Sequence, residues 1–76
     1  MQIIDQTNKE KYLKDSHCYR RKSVSVRARQ MKEPFRIETR EGTIYGEAGD
    51  FLVEGVEGEI YPCNMRIFLK TYDLEE

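Results

Sequence analysis

The clearest pattern of apolar and polar positions lies between residues 20 and 33, RRKSVSVRARQMKE. Val24, Val26 and Ala28 alternate there with serine and arginine residues. Because successive side chains of a strand point to opposite faces, this alternation predicts a strand with one buried and one cationic face. Pro34 ends the run, since proline cannot donate a hydrogen bond to a strand ladder. A second alternating run, residues 35–39, predicts the next strand.

Residues 41–63 hold all five glycines of the chain, spaced between short runs of strand-forming residues. Glycine adopts positive φ without steric penalty, so this spacing predicts tight turns between short strands. The predicted strands are residues 43–46, 50–54 and 59–61, and the predicted turns are 47–49 and 55–58.

The two ends of the chain predict short helices. Thr7 or Asn8 could cap a helix that ends near Leu13, although so little apolar surface also fits disorder. Asn64 is a candidate N-cap for a second short helix over 65–71, which would cover one open end of the sheet. We therefore divide the chain into an N-terminal segment, 1–19, and a single small β-rich domain, 20–76.

These elements predict a mainly β (α+β) fold of about five short strands with a short C-terminal helix. A strongly bent or partly closed antiparallel sheet, similar to an SH3-like or OB-like barrel, would remove exposed strand edges. A flat sheet with the helix across one face is the alternative. The predicted single core comprises nine apolar residues: Val24, Val26, Phe35, Ile37, Ile44, Phe51, Val53, Ile60 and Phe68.

Charge is distributed unevenly along the chain. Residues 1–40 carry eleven Lys/Arg and five Asp/Glu, a balance of +6, whereas residues 41–76 carry two and nine, a balance of −7. The basic side chains of the first strand could follow a phosphate backbone, with Tyr19 available for stacking. A pI near 5.9 argues against this use, since nucleic-acid-binding domains are typically basic. The candidate binding residues are Arg20, Arg21, Lys22, Arg27, Arg29 and Lys32.

No residue pattern indicates catalysis or a cofactor. The chain has one histidine and lacks the common nucleophile, metalloprotease and phosphate-loop motifs. His17, Cys18 and Cys63 lack both a fourth ligand and the CxxC spacing of structural zinc sites, so we predict no metal and two free thiols. No apolar run is long enough to span a bilayer and no signal-peptide pattern is present, so we expect a cytoplasmic protein.

Several residues near the glycines are predicted to have structural roles in turns. Asp50 is expected to accept hydrogen bonds from turn amides after Gly49, as aspartate commonly does. Glu59 is expected to close a turn or to pair with a strand arginine. Tyr61 and Pro62 are assigned to the same set of turn residues.

An ordered set of motifs resembles the PGDYG family of small bacterial and phage proteins. The matching pieces are RRKSVSVRARQM, TREGTI, AGDFLVEG, GEIYPC and finally IF followed by TY. They cover about two-thirds of the chain, from Arg20 to Tyr72. In the naming motif, Ala48 replaces the usual proline and Phe51 the usual tyrosine or tryptophan. The resemblance implies a phage or prophage accessory origin, and it implies no activity or ligand.

The sequence therefore favours a non-catalytic protein-interaction module that binds an unknown host or phage protein through an exposed edge or a charged face. The alternative is a small nucleic-acid-binding β-barrel that uses the basic residues 20–32. Membrane binding is not expected, and the sequence leaves the oligomeric state open.

Overall fold

A computed structural model describes residues 1–75 as eight strands and two short helices. The strands, in chain order, are β1 (Gln2–Ile4), β2 (His17–Arg21), β3 (Val24–Gln30), β4 (Phe35–Thr39), β5 (Gly42–Gly46), β6 (Phe51–Glu54), β7 (Ile60–Cys63) and β8 (Asp73–Leu74). The helices are α1 (Lys9–Leu13), between β1 and β2, and α2 (Met65–Thr71), between β7 and β8. No helix within residues 1–75 is long and apolar enough to cross a membrane.

The strands form two sheets that do not close into a barrel. The smaller sheet has the order β1-β4-β5, and the larger has the order β7-β6-β3-β2-β8. All neighbours are antiparallel except β1 and β4, which run parallel with Gln2 opposite Phe35. The mainly β class and the short C-terminal helix are confirmed, whereas the partly closed barrel is replaced by two separate sheets.

The larger sheet is buried on both faces at its centre. Phe51, Leu52 and Val53 of β6 are all at most 4% exposed, although successive side chains point to opposite faces. On one face Leu52 packs with Phe35 and Ile37 of the smaller sheet and with Leu13 of α1. On the opposite face Phe51 and Val53 pack against α2. The single predicted core is therefore two clusters separated by this sheet.

An aromatic cluster fixes α2 on the larger sheet. The Phe68 ring stacks on the rings of Phe51 and Tyr72, with ring centres 4.2 Å and 4.8 Å away. The Tyr19 ring packs edge-on against it, with a centre-to-centre distance of 4.8 Å. The Asn64 side chain accepts hydrogen bonds from the first amides of α2, as its predicted N-cap role requires. Phe68 is fully buried as a result.

The N-terminal segment is ordered and contributes to the core. Ile4 of β1 and Leu13 of α1 are both buried in the cluster that contains Phe35. The predicted helix after Asn8 is present, but Asn8 makes no capping bond with its side chain. Instead, its side chain accepts a hydrogen bond from the Asp5 backbone amide and donates one to the Ile3 carbonyl oxygen.

The alternation predicted one strand over residues 20–33, but the structure divides these residues between two strands. Arg20 and Arg21 end β2, and the chain then reverses through Lys22, whose φ is 54°, into β3. Tyr19 pairs with Val26 in this hairpin, so both side chains lie on the face that α2 covers. The alternation holds from Val24 onward, where Val26 and Ala28 are buried.

Gly49 has the positive φ that the turn before β6 requires. Its φ is +97°, and a Cβ added there would meet no atom within 4 Å, so only backbone strain opposes a side chain. We expect Gly49→Ala to lower the free energy of unfolding by about 1–2 kcal/mol, the cost of left-handed backbone for an L-residue. Chemical denaturation measures the change. Gly49→Asn is the control and should cost less, because asparagine tolerates positive φ; an alanine variant as stable as the native protein would contradict this account.

Candidate functional site

Most of the predicted basic binding residues have partners within the chain. The Arg20 Nε donates to Glu75 Oε2 at 2.8 Å. The Arg21 guanidinium lies 5.8 Å from the centre of the Tyr72 ring, a cation–π distance. Lys22 at the hairpin turn and Lys32 after β3 are exposed. The exposed cations of residues 20–32 are therefore separate from one another and do not form a continuous row.

Arg27 belongs to an ion-pair cluster that fastens α1 to the larger sheet. Its Nε donates to Glu54 Oε1 at 2.7 Å, and its terminal nitrogens donate to the Glu10 carboxylate. The Lys9 Nζ lies 2.7 Å from Glu54 Oε2. Hydrogen bonding by Arg27 lowers the pKa of both Glu10 and Glu54, and these bonds raise the pKa of Arg27 itself. The cluster has two cations and two anions, so it leaves no net charge for a phosphate.

Arg29 is also engaged, since its Nη1 donates to the Tyr12 backbone oxygen at 3.0 Å at the end of α1. The face of β3 that the sequence predicted to be an exposed cationic strip is thus the surface on which α1 rests. Arg27 and Arg29 hold the N-terminal segment in place.

Some of the predicted turn residues lie in turns, and the others lie in a strand. Gly49 donates to the Met31 carbonyl oxygen, and the Asp50 carboxylate accepts from the Glu47 amide, which precedes Gly49. Glu59 accepts from the Glu57 amide and so closes the turn before β7, and no arginine within residues 1–75 pairs with it.

Tyr61 and Pro62 lie within β7. The predicted strand 59–61 already included Tyr61, and the inclusion of both residues among the turn residues was wrong. Proline is tolerated there because β7 is an edge strand of the larger sheet, so one side of its backbone needs no ladder bond. Burial raises the pKa of Tyr61 to about 12, and the neighbouring Tyr72 adds to this effect.

The cysteines are both free thiols in the structure. Cys18 is exposed on β2, and Cys63 is half-buried at the end of β7. Burial raises the pKa of the Cys63 thiol, and the nearby Asp50 charge raises it further, so this thiol is poorly suited to act as a thiolate. Within residues 1–75 no three His, Cys, Asp or Glu side chains are grouped closely enough to hold a metal ion.

A groove of about 720 Å³ lies where the two sheets approach each other without pairing. Three separate parts of the chain line it: the turn after β1, the β4–β5 hairpin as far as Ile44, and the start of β7 with the residue before it. The Gly58 carbonyl oxygen, in the turn before β7, accepts hydrogen bonds from Gln6 Nε2 at 2.9 Å and Lys9 Nζ at 2.8 Å. These two bonds connect the turn before β7 to the N-terminal segment.

The groove has an apolar floor that the core prediction did not anticipate. Ile44 lies opposite Ile37 in the β4–β5 ladder, so both side chains point to the inner face of the smaller sheet. Ile37 is fully buried, yet Ile44 is 41% exposed, and its inclusion in the core was wrong. Ile60, which is 6% exposed, continues the floor from the other sheet. Nothing within residues 1–75 covers this part of the inner face.

The wall of the groove is acidic. Four acidic residues line it, Asp5, Glu38, Glu41 and Glu59, against the single cation Arg40, so the formal balance of the lining residues is −3. Hydrogen bonds from Thr7 lower the pKa of Asp5, which therefore stays charged at neutral pH. Glu38 lies opposite Thr43 in the β4–β5 ladder and accepts a hydrogen bond from its hydroxyl, so its carboxylate lies on the outer face of the smaller sheet and not over Ile44.

One wall of the groove is also an unpaired strand edge. β5 has β4 on one side, and within residues 1–75 it has no hydrogen-bonded strand on the other. It lacks the usual protection of an edge strand, because residues 42–46 include no lysine and no proline. Tyr45 on its outer face is 64% exposed. β5 therefore combines free backbone groups with exposed apolar side chains.

The chain matches no known family model, no curated protein and no solved structure. The resemblance to the PGDYG family therefore remains a prediction from the sequence motifs.

Proposed function

We propose that this protein is a non-catalytic protein-interaction module that binds an extended segment of a partner protein in the groove beside β5. The observation that carries the proposal is Ile44, an inward-facing residue of the smaller sheet that is left 41% exposed. An added segment that lies along the groove would cover this side chain and would offer hydrogen bonds to the unpaired edge of β5.

The groove lining fits binding better than chemistry. It offers carboxylates, threonines, one guanidinium and an apolar floor, but no histidine, cysteine or lysine. The resemblance to the PGDYG family supports a phage or prophage accessory role, with a host or phage protein as the partner. We place this role in the cytoplasm, because the free Cys18 and Cys63 are typical of a reducing compartment.

The alternative of nucleic-acid binding has less support. It depends on a row of free cations along residues 20–32, whereas Arg20, Arg27 and Arg29 each bond to groups within the chain. Of the other three cations, Arg21 lies beside the Tyr72 ring, and Lys22 and Lys32 lie at opposite ends of β3.

A selection from a library of random peptides displayed on phage, with the purified protein as bait, tests the proposal. We expect enriched peptides whose affinity falls at least about tenfold in the Ile44→Lys variant, because a lysine there places a charge over the apolar floor. Fluorescence anisotropy with the enriched peptides, synthesised and labelled, measures this loss.

Leu69→Lys is the matched control. Leu69 is 56% exposed on α2, which packs on the opposite face of the larger sheet from the cluster that includes Ile60, so this variant should bind within about twofold of the native protein. Circular dichroism and the unfolding midpoint check that both variants fold. The proposal would be wrong if no peptide were enriched, or if the enriched peptides bound equally well to folded Ile44→Lys.

A further inference from the structure

We infer that the groove selects a cationic partner segment, one in which lysine or arginine residues alternate with apolar residues. This inference rests on the proposed function, since it specifies the chemistry of the segment that the same groove binds. It is carried by the charge of the groove wall, by the lack of cations that neutralise this charge, and by the apolar floor beneath it.

Three of the groove carboxylates have no ionic partner. Asp5, Glu41 and Glu59 form no ion pair within residues 1–75, and Glu38 lies 3.9 Å from Arg36 Nε, at the limit of an ion pair. The chain has thirteen Lys and Arg residues, yet Arg40 alone lines the groove.

Three carboxylates outside the groove are neutralised by cations of the chain. Glu10 and Glu54 share Arg27, with Lys9 beside Glu54, and Glu75 pairs with Arg20. The fold thus brings acids and bases together at α1 and at β8, whereas the groove keeps an excess of negative charge. A cationic segment would meet this charge favourably, and an anionic one would be repelled.

The alternation follows from the geometry of an extended chain. Side chains of a strand alternate between two faces, so every second residue of a segment beside β5 would point toward Ile44 and Ile60. The intervening residues would point away from this floor, where the long stems of lysine and arginine reach the carboxylates at the rim. A segment with apolar residues facing the floor and cations at the intervening positions therefore complements both the apolar floor and the acidic wall.

Two labelled synthetic peptides of equal length test the inference, one alternating valine with lysine and the other alternating valine with glutamate. In fluorescence anisotropy at low salt we expect the lysine peptide to bind at least about tenfold more tightly than the glutamate peptide. The difference should shrink near 1 M salt, where the screening length falls to about 3 Å.

Two charge-reversal variants locate the effect. Glu41→Lys should weaken binding of the lysine peptide several-fold, because it reverses a charge in the groove wall. Glu33→Lys makes the same change of net charge at an exposed position between β3 and β4, outside the groove lining, and should bind within about twofold of the native protein. Equal losses in both variants would show that the peptide responds only to net charge, and would overturn the inference.

The remaining outcomes separate this inference from the proposed function. If both peptides bind equally and both are lost in Ile44→Lys, the charge preference is wrong and the groove remains a binding site. If neither designed peptide binds but library peptides bind in an Ile44-dependent manner, the charge preference is again wrong. If no peptide of either kind binds, the proposed function fails as well. Sedimentation experiments test whether the protein associates with itself. If it does, and if Glu41→Lys abolishes the association, the groove binds a second copy of this chain and the inference of a foreign partner is overturned.

Discussion

Phe68→Ala is expected to lower the free energy of unfolding by about 3–5 kcal/mol, the usual cost of truncating a buried phenylalanine. Phe68 is fully buried and contacts the rings of Phe51, Tyr19 and Tyr72. Its removal leaves a cavity between α2 and the larger sheet that rigid neighbours cannot fill. A domain of this size has a total stability of only about 5–10 kcal/mol, so the variant should be close to unfolding at 25 °C.

Leu69→Ala is the matched control for this prediction. Leu69 is the next residue of the same helix but is 56% exposed, so its truncation should change the stability by no more than about 0.5 kcal/mol. Urea denaturation followed by circular dichroism measures both variants. Equal midpoints for Phe68→Ala and the native protein would show that α2 does not pack on the sheet through this ring.

Gly46→Ala is expected to destabilise the protein by about 1–3 kcal/mol through overpacking. Gly46 lies opposite Phe35 in the β4–β5 ladder, and the Phe35 ring crosses over it. An added Cβ would lie 2.3 Å from Phe35 Cζ and 2.5 Å from Cε1, closer than any real contact. Phe35 is fully buried, so its ring has no free space into which it can move.

A double-mutant cycle with Phe35→Leu separates this clash from a loss of strand propensity. The smaller leucine has no ring over position 46, so Gly46→Ala should cost less by about 1 kcal/mol or more in the Phe35→Leu background than in the native one. Urea denaturation of the four proteins gives this coupling energy. Additive effects would contradict the contact between Gly46 and the Phe35 ring.

The strands that the sequence predicts are those with a local signal. β3 and β4 alternate cleanly, and the glycines before and after β6 mark its ends, so β3 to β7 could be predicted within a few residues. β1, β2 and β8 have no such signal. Only Ile4 is buried in β1, and its partner β4 lies about thirty residues away, so its pairing depends on contacts distant in the chain. In β2 only Tyr19 is even half-buried, which leaves no alternation to detect.

The groove could not be predicted because alternation tells which face a side chain points to, and not whether that face is covered. Ile37 and Ile44 have the same pattern in the sequence, yet the first is buried and the second lines the groove. Asp5, Glu38 and Glu41 look like ordinary surface residues in the sequence, and Asp5 lies more than thirty residues before the other two. Glu59 was considered only for its turn. The one available signal was the acidic balance of residues 41–76, which could not be located without the topology.

The basic residues illustrate the opposite error, in which a local signal overstated a function. Arg27 and Arg29 face away from the aromatic cluster, as the alternation requires, but that face carries α1. A charged residue on a polar strand face is exposed only if no other element packs there, and α1 has so little apolar surface that its docking is not visible in the sequence. Its ion pairs with β3 and β6 supply part of what the apolar contacts lack.

A chemical-shift titration of the ¹⁵N-labelled protein with the strongest library-selected peptide tests the groove most directly. The account predicts that the largest amide shifts fall on residues 42–44, 59–60 and 5–7, and that Ile44→Lys abolishes them. The α2 residues and the β2–β3 hairpin should shift little. Shifts concentrated on residues 20–23 or on α2, with the groove amides unchanged, would contradict the assignment of β5 and its groove as the binding site.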